Sequence, residues 1–267
     1  MSYETVNLTV EESVAEITLN RPERLNAWND QFGRELNQAI LEDCADPSVR
    51  SVLITGAGRG FSSGADIKEM LERGSEGSNG AGGDVGDMLK ERYHPIIKGI
   101  REMPKPVVAA VNGPAVGIGC SLALACDLIW AAESAIFGLA FVNIGLVPDG
   151  GSTFLVPVAT GKARALEMAL LGEPVSAETA NDWGLINRVV PDASLMDEAR
   201  GLARRLARGP TRSYAQSKRA LNRSLMRHMD EQLDLEADIQ REMTGSADFI
   251  EGITSFVEKL YPDFQGA

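Results

Sequence analysis

An α/β fold with a helical C-terminal lobe is predicted by three features of the sequence. Short strand-like runs separated by helices recur through the first two thirds of the chain. Two of these runs, Ser51–Thr55 and Val107–Val111, are almost continuously apolar, the pattern of strands buried on both faces. The last third has helical periodicity throughout.

The elements follow in order. Val6, Leu8 and Val10 alternate with polar residues, as do Ala15, Ile17 and Leu19, which predicts two strands. A helix from Asp30 places Phe32, Leu36 and Ile40 on one face. After the strand at 51–55 and the loop Gly56–Gly60, a short helix is expected over Asp66–Arg73 and a mobile Gly-rich loop over 74–86. A helix carrying Met88, Leu89, Ile96, Ile97 and Ile100 leads to the strand at 107–111. A Gly-rich turn, a helix over Cys120–Cys126 and a strand over Leu128–Trp130 follow. Helices are expected at 162–171, 177–183, 194–208, 211–243 and 248–260, with Ser176 as an N-cap and Gly172 and Gly184 as stops. Nothing marks a linker, so the division is a core over residues 1–200 and a helical lobe over 201–267.

Composition narrows the function. The 267 residues carry a net charge of −12, which argues against a nucleic-acid or anionic-membrane surface. Cys44, Cys120 and Cys126 form neither a disulfide framework nor a zinc motif, and a reducing cytoplasm suits them. The stretch Pro106–Cys126 has no charge, but Asn112, Gly113, Pro114, Gly117 and Gly119 interrupt it. It reads as strand, turn and helix rather than a membrane span. The N-terminus lacks the pattern of a signal peptide.

Two segments share one design: Gly60-Phe-Ser-Ser-Gly64-Ala65-Asp66-Ile67-Lys68 and Asn112-Gly-Pro-Ala-Val-Gly117-Ile118-Gly119-Cys120-Ser121. Each follows a buried strand and opens a helix, so backbone N–H groups could face a ligand, and two converging amides would make an oxyanion hole. The glycines could equally serve only tight turns. Leu122 replaces the third glycine of a dinucleotide fingerprint, and Ala123 the second glycine of a nucleophile elbow. The only histidines, His94 and His228, suit surface or packing roles better than a triad.

With Leu25-Asn26-Ala27, Cys126-Asp-Leu-Ile129, Gly145-Leu-Val-Pro-Asp149-Gly150 and Gly252-Ile-Thr-Ser-Phe256, these loops resemble the crotonase (enoyl-CoA hydratase/isomerase) superfamily from about Tyr3 to Leu260. The resemblance implies a crotonase-like spiral of ββα repeats and a helical trimerisation lobe. It implies homotrimers or dimers of trimers, a CoA-thioester substrate, and neither metal nor redox cofactor. By position, the amides of Ala65 and Ile118 form the oxyanion hole. Ala65, Asp66, Ile67 and Lys68 contact the adenine end of CoA, with Arg24 and Ala27 nearby. Gly117, Ser121 and Phe141 belong to the acyl site, and Phe256 and Lys259 reach a neighbouring subunit's CoA.

The family's hydratases use two glutamates, and those places hold Ser121 and Phe141, neither able to exchange a proton at neutral pH. Asp149 is the acid that remains. On the residues alone it could cap the following helix or transfer protons. The resemblance favours transfer: the family's double-bond isomerases carry one acid in this segment, and Ala140-Phe141-x-x-x-Gly-Leu-x-Pro-Asp149 is similar to the ring-epoxide isomerases of phenylacetyl-CoA breakdown. Leu139 and Phe141 would wall the carboxyl off from water and raise its pKa. The expected enzyme is an acyl-CoA isomerase shifting a double bond or ring epoxide. The alternatives are a hydratase or other hydrolase of the same fold, or a silent CoA-binding protein.

Overall fold

The computed structural model describes residues 3–69, 71 and 84–267. Its strands are β1 (Val6–Glu11), β2 (Val14–Leu19), β3 (Ser51–Gly56), β4 (Val107–Val111), β5 (Ala115–Val116), β6 (Leu128–Ala132), β7 (Ile136–Gly138), β8 (Val175–Ser176) and β9 (Arg188–Val190). One sheet has the order β1-β2-β3-β4-β6-β9 and a smaller one the order β5-β7-β8. β1 and β2 form an antiparallel hairpin through Glu12 and Ser13, both at positive φ as a tight two-residue turn requires. From β2 to β9 the large sheet is parallel. Parallel strands are covered on both faces, which is why β3 and β4 are apolar almost throughout and β4 is wholly buried.

The helices around this frame are α1 (Asp30–Leu41), α2 (Val85–Met88), α3 (His94–Glu102), α4 (Ile118–Ala125), α5 (Ser152–Thr160), α6 (Lys162–Leu171), α7 (Ala177–Asp182), α8 (Leu195–Ala207), α9 (Thr211–Leu225), α10 (Met229–Met243) and α11 (Ala247–Glu258). A π-helical turn, Leu89–Tyr93, joins α2 to α3. The Asn29 side chain caps α1, and Phe32, Leu36 and Ile40 face inward as their spacing predicts. Ser176 caps α7, and Gly172 ends α6 in the left-handed conformation.

The structure departs from expectation in three places. The helix expected over 211–243 is two helices, broken at Met226–His228 without a proline or glycine. Tertiary contacts set the break: α9 is tied to the core by Lys218 on Asp127 (2.8 Å) and Asn222 on the Arg101 carbonyl (2.7 Å), whereas α10 turns towards the α4–α5 connection. α8 runs across the expected boundary at 200 and packs on the large sheet, where the Ser51 hydroxyl donates to the Ala203 carbonyl (2.8 Å). Residues 74–83 of the loop expected at 74–86 lie outside the described residues, and at its end Val85 is already helical.

Leu25-Asn26-Ala27 is a hub. Leu25 and Asn26 both have positive φ, and Asn26 is fully buried. The Asn26 side chain accepts from the Arg21 N–H (2.8 Å) and donates to the carbonyls of Ala57 (3.0 Å) and Gly60 (2.9 Å). Its own carbonyl accepts from the Ser62 hydroxyl (2.9 Å), so one residue fixes the path of the first Gly-rich loop. Asn26→Ala removes the partner of the part-buried Arg21 N–H and Ala57 carbonyl and of the buried Gly60 carbonyl. It should lower stability by about 2–4 kcal/mol, read as a fall in the urea midpoint at unchanged slope.

Candidate active site

Two loops are stitched together by main-chain bonds. The N–H groups of Phe61 and Ser62 donate to the Pro114 carbonyl (3.1 and 2.9 Å), and that of Val116 donates to the Ser62 carbonyl (2.9 Å). Bridges pair Ser62 with Ala115 and Trp28 with Ala65. Close approach depends on glycine. A Cβ on Gly119 would lie 2.6 Å from Ser62 Cβ, and Gly117 adopts φ 56°, ψ −130°, a conformation L side chains avoid. The consequence is that Ala65 and Ile118 lie on the wall of one cavity of about 550 Å³. Among the described residues neither amide donates to a protein acceptor, and Ile118 opens α4, where N–H groups carry the positive helix end.

Asp149 lies on the same wall and is only 6% exposed. Its Oδ2 accepts a hydrogen bond from Gln240 Nε2 at 2.9 Å, and its Oδ1 is buried without a protein partner. Burial pushes the Asp149 pKa up to about 7. The Gln240 bond opposes that rise and the charge of Glu236 adds to it. The side chain does not cap α5, whose N-cap is Gly151. Glu236, reaching across from α10, does that work. It accepts from the N–H groups of Gly151 (2.7 Å) and Thr153 (3.0 Å) and from the Thr153 hydroxyl. Burial raises the Glu236 pKa to about 7 as well, against those donors. The sequence left capping and proton transfer both open for Asp149; with Glu236 as the cap, the Asp149 carboxyl is left to the cavity.

Most of the expected site residues come together. Arg24, Ala27, Ala65, Asp66, Ile67, Lys68, Gly117, Ile118, Phe141, Asp149 and Phe256 all line this cavity. One needs correction. Ser121 is fully buried and does not line it; its hydroxyl donates to the Asp149 carbonyl (2.8 Å) and so braces the loop rather than touching a ligand. The absence of a side chain at Gly150 makes room for it, since a Cβ there would lie 2.9 Å from Ser121 Cβ. Phe256 lines the cavity of its own chain, because Gly252 lets α11 lie against the Ile144 backbone. Lys259, at the exposed end of α11, is not part of the cavity. Asp66 borders the cavity, but its carboxylate is bonded to Arg21 (3.0 Å) and to the Glu69 N–H (3.3 Å).

Sequence reasoning missed Gln240, Glu236, Tyr93 and Arg59. Arg59 joins Arg24 and Lys68 at the exposed mouth, a basic rim on an acidic protein that suits a phosphorylated ligand. One signal was present: the inward stripe of α10, Met229, Leu233, Glu236, Ala237 and Gln240, interrupts apolar residues with two polar ones. Among the described residues, no three His, Cys, Asp or Glu side chains gather as metal ligands would, and no helix is long and apolar enough to cross a membrane.

Comparison with known proteins gives this geometry a family. The model of the enoyl-CoA hydratase/isomerase family matches residues 9–267. The chain is 44% identical over 257 residues to a 1,2-epoxyphenylacetyl-CoA isomerase of Escherichia coli, covering 96% of this chain and 97% of that protein. It is 43% identical over 266 residues to a probable enoyl-CoA hydratase of Rhodobacter capsulatus, covering both chains completely (100% each). A crystal structure of an enoyl-CoA hydratase from Mycobacterium avium subsp. paratuberculosis superimposes with a TM-score of 0.87 at 38% identity, over 99% of this chain and 100% of that one. The fold is therefore the crotonase fold, and the chain belongs to the enoyl-CoA hydratase/isomerase family of CoA-thioester enzymes.

Proposed function

We propose that this enzyme is an acyl-CoA isomerase in which Asp149 moves a proton between two carbons of the acyl group. The observation that carries this reading is the Asp149 carboxyl: buried, with a pKa near 7, one oxygen held by Gln240 and the other unpartnered. For a 3-enoyl thioester, Asp149 takes a proton from C2, and the electron pair moves onto the thioester oxygen. The Ala65 and Ile118 amides stabilise that oxyanion. Asp149 then gives the proton to C4, the carbonyl re-forms, and the double bond lies between C2 and C3. Leu139 and Phe141 keep water from the intermediate.

Hydration is the second reading, because the Rhodobacter capsulatus relative is named a probable hydratase. It needs a second proton-exchanging group. The hydratase places hold Ser121, committed to the Asp149 carbonyl, and Phe141. Turnover of a 3-enoyl-CoA against a 2-enoyl-CoA discriminates these readings; no turnover with tight CoA binding would indicate a silent binding protein. Leu170, Leu171, Leu221 and Leu225 on the outer helices, and Leu260 just beyond α11, are exposed, which supports association into a threefold oligomer. Light scattering should give a trimer or hexamer, and a monomer at working concentration would contradict it.

Three outcomes follow for the site. Asp149→Asn keeps an acceptor for Gln240 but cannot carry a proton. Isomerisation and solvent exchange of α-protons should fall by about 10³–10⁴ with CoA affinity retained; exchange at the wild-type rate would place the base elsewhere. The same variant should be the more stable protein at neutral pH. A carboxyl whose pKa rises on folding from 3.8 to about 7 binds more protons folded than unfolded, so it destabilises the fold as pH climbs through that window. The advantage of Asp149→Asn in thermal melts should grow from pH 4 to 7 and then level off. Ile118→Pro suits the first position of α4 but removes the amide proton, and should cost about 10²–10³ in kcat. Ile118→Ala should cost far less; equal losses in two folded variants would remove Ile118 from the oxyanion hole.

A further inference from the structure

We infer that Gln240 is a positioning residue for the proton transfer: it holds Asp149 Oδ2 and so reserves Oδ1 as the one atom that takes the proton from the acyl group and returns it. The inference rests on the isomerase reading, with Asp149 as the base. Gln240 Nε2 lies 2.9 Å from Asp149 Oδ2 and 2.9 Å from the Val147 carbonyl, and Gln240 is 1% exposed. Both hydrogens of the amide are therefore committed, one to the base and one to the backbone two residues before it.

The Val147 bond fixes which way round the amide sits. Turned over, it would set Oε1 against the Val147 carbonyl and the carboxylate, acceptor against acceptor. In the observed orientation Gln240 Oε1 is buried without a partner. An unpaired buried acceptor is costly, and methionine or leucine would fill this place on the α10 stripe without one. What the polar side chain supplies there is its two donors.

The donors decide where a proton can ride. An ionised carboxylate accepts through either oxygen, but a carboxylic acid has one good acceptor, its carbonyl oxygen. With Nε2–H aimed at Oδ2, that oxygen keeps the carbonyl role. The proton goes to Oδ1, which has no partner among the described residues. As the C2–H bond breaks, its electron pair moves towards the thioester oxygen and an Oδ1–H bond forms. Return of the proton to C4 breaks that same Oδ1–H bond, so the carboxyl has no need to rotate between the transfers. Gln240 also favours the ionised form of Asp149, against the burial that pushes its pKa up to about 7. The other titratable groups that feel Asp149 are Glu236 on α10, which adds to the rise, and Tyr93 on the π-helical turn, whose phenol burial keeps neutral. Arg24, Arg59 and Lys68 line the mouth of the same cavity. A Gln240 substitution replaces none of them.

The test uses Gln240→Met in the whole chain, with Gln240→Leu as a second variant lacking a donor and CoA affinity as the check on folding. Two readings are taken that a purely structural role would not move. The first is the acid limb of kcat against pH for a 3-enoyl-CoA. Asp149 must be ionised to act, so activity rises as pH passes its pKa, and loss of the donor should move that limb up by about one pH unit. The second is the share of deuterium that a 2,2-dideuterated 3-enoyl-CoA delivers to C4 in ordinary water. It should fall severalfold in the variants, because a carboxyl free to turn exposes the deuteron to exchange. No deuterium at C4 from the wild type, or a folded variant that keeps either the wild-type limb or the wild-type share, overturns the assignment. Exchange of the α-protons of butyryl-CoA with deuterated water needs the base but no isomerisation. A wild type that exchanges them with a Gln240-dependent limb, yet leaves the 3-enoyl-CoA unchanged, would overturn the isomerase reading and leave the hold of Gln240 on the base standing.

Discussion

A carboxyl group can be kept in an apolar cavity only if its neighbours are arranged to tolerate it, and this site depends on how α10 meets that condition for Asp149. The α5 N-terminus next to Asp149 presents N–H groups that would capture any free carboxylate. Glu236 satisfies them. One turn along the same helix face, Gln240 donates to Asp149 Oδ2 and to the Val147 carbonyl (2.9 Å each). The spacing of four residues puts both side chains on one stripe. Glu236 therefore takes the capping role, while Gln240 orients Asp149 through a single oxygen and leaves its other oxygen without a protein partner. Reversing those assignments would commit both Asp149 oxygens to backbone N–H groups and leave neither free for a ligand.

The opposite wall is built from backbone, and its constraint is steric. Amides can serve as oxyanion donors only if their chains come close enough to converge and if no carbonyl claims them first. Gly119 meets the first requirement by letting Ser62 lie against α4, and the bridges at Ser62–Ala115 and Trp28–Ala65 hold the approach. The second requirement is met because Ile118 is the first residue of its helix, where an N–H has no intrahelical acceptor. Gly150 then closes the gap: its missing side chain leaves room for Ile118 Cδ1, which a Cβ would approach to 2.4 Å, so the Asp149 turn sits directly beside Ile118.

Much of this was legible in the sequence, and the reasons are local. The burial of β3 and β4 is written in apolar runs, the amide-bearing turns in their glycines, and the acid in the segment around Pro148-Asp149-Gly150. What was not legible depends on packing between distant segments. Ser121 looked like an acyl-site residue because the hydratase pattern puts a glutamate there. Its burial against Gly150 follows from a loop 28 residues later in the chain. The break after α9 has no helix-breaking residue to announce it, because the two helices separate to reach different partners. Phe256 reaches the cavity through the fit of Gly252 against the Ile144 backbone, a contact between distant segments. Gln240 and Glu236 carry no motif at all; only two polar residues in a buried helical stripe hinted at them.

The same helix also fixes the turn that brings Tyr93 to the cavity wall. Arg241 bonds Asp84 and Asp87 (2.9 Å to Asp87), and Asp238 bonds Lys90 (2.9 Å), so α10 grips the segment that leads into the π-helical turn and Tyr93. These are exposed pairs, and individually such bridges contribute little to stability. Their use is positional. Gly86 lets α2 pack so tightly on α10 that a Cβ would come within 2.8 Å of the Ala237 carbonyl. Asp149 is thus referenced to α10 through Gln240, and the Tyr93 turn is referenced to it through Arg241, Asp238 and Gly86. Two groups far apart in sequence therefore take their relative position from a single rigid element. A rigid reference of this kind fixes where the Asp149 carboxyl sits relative to the wall of the cavity that the turn supplies.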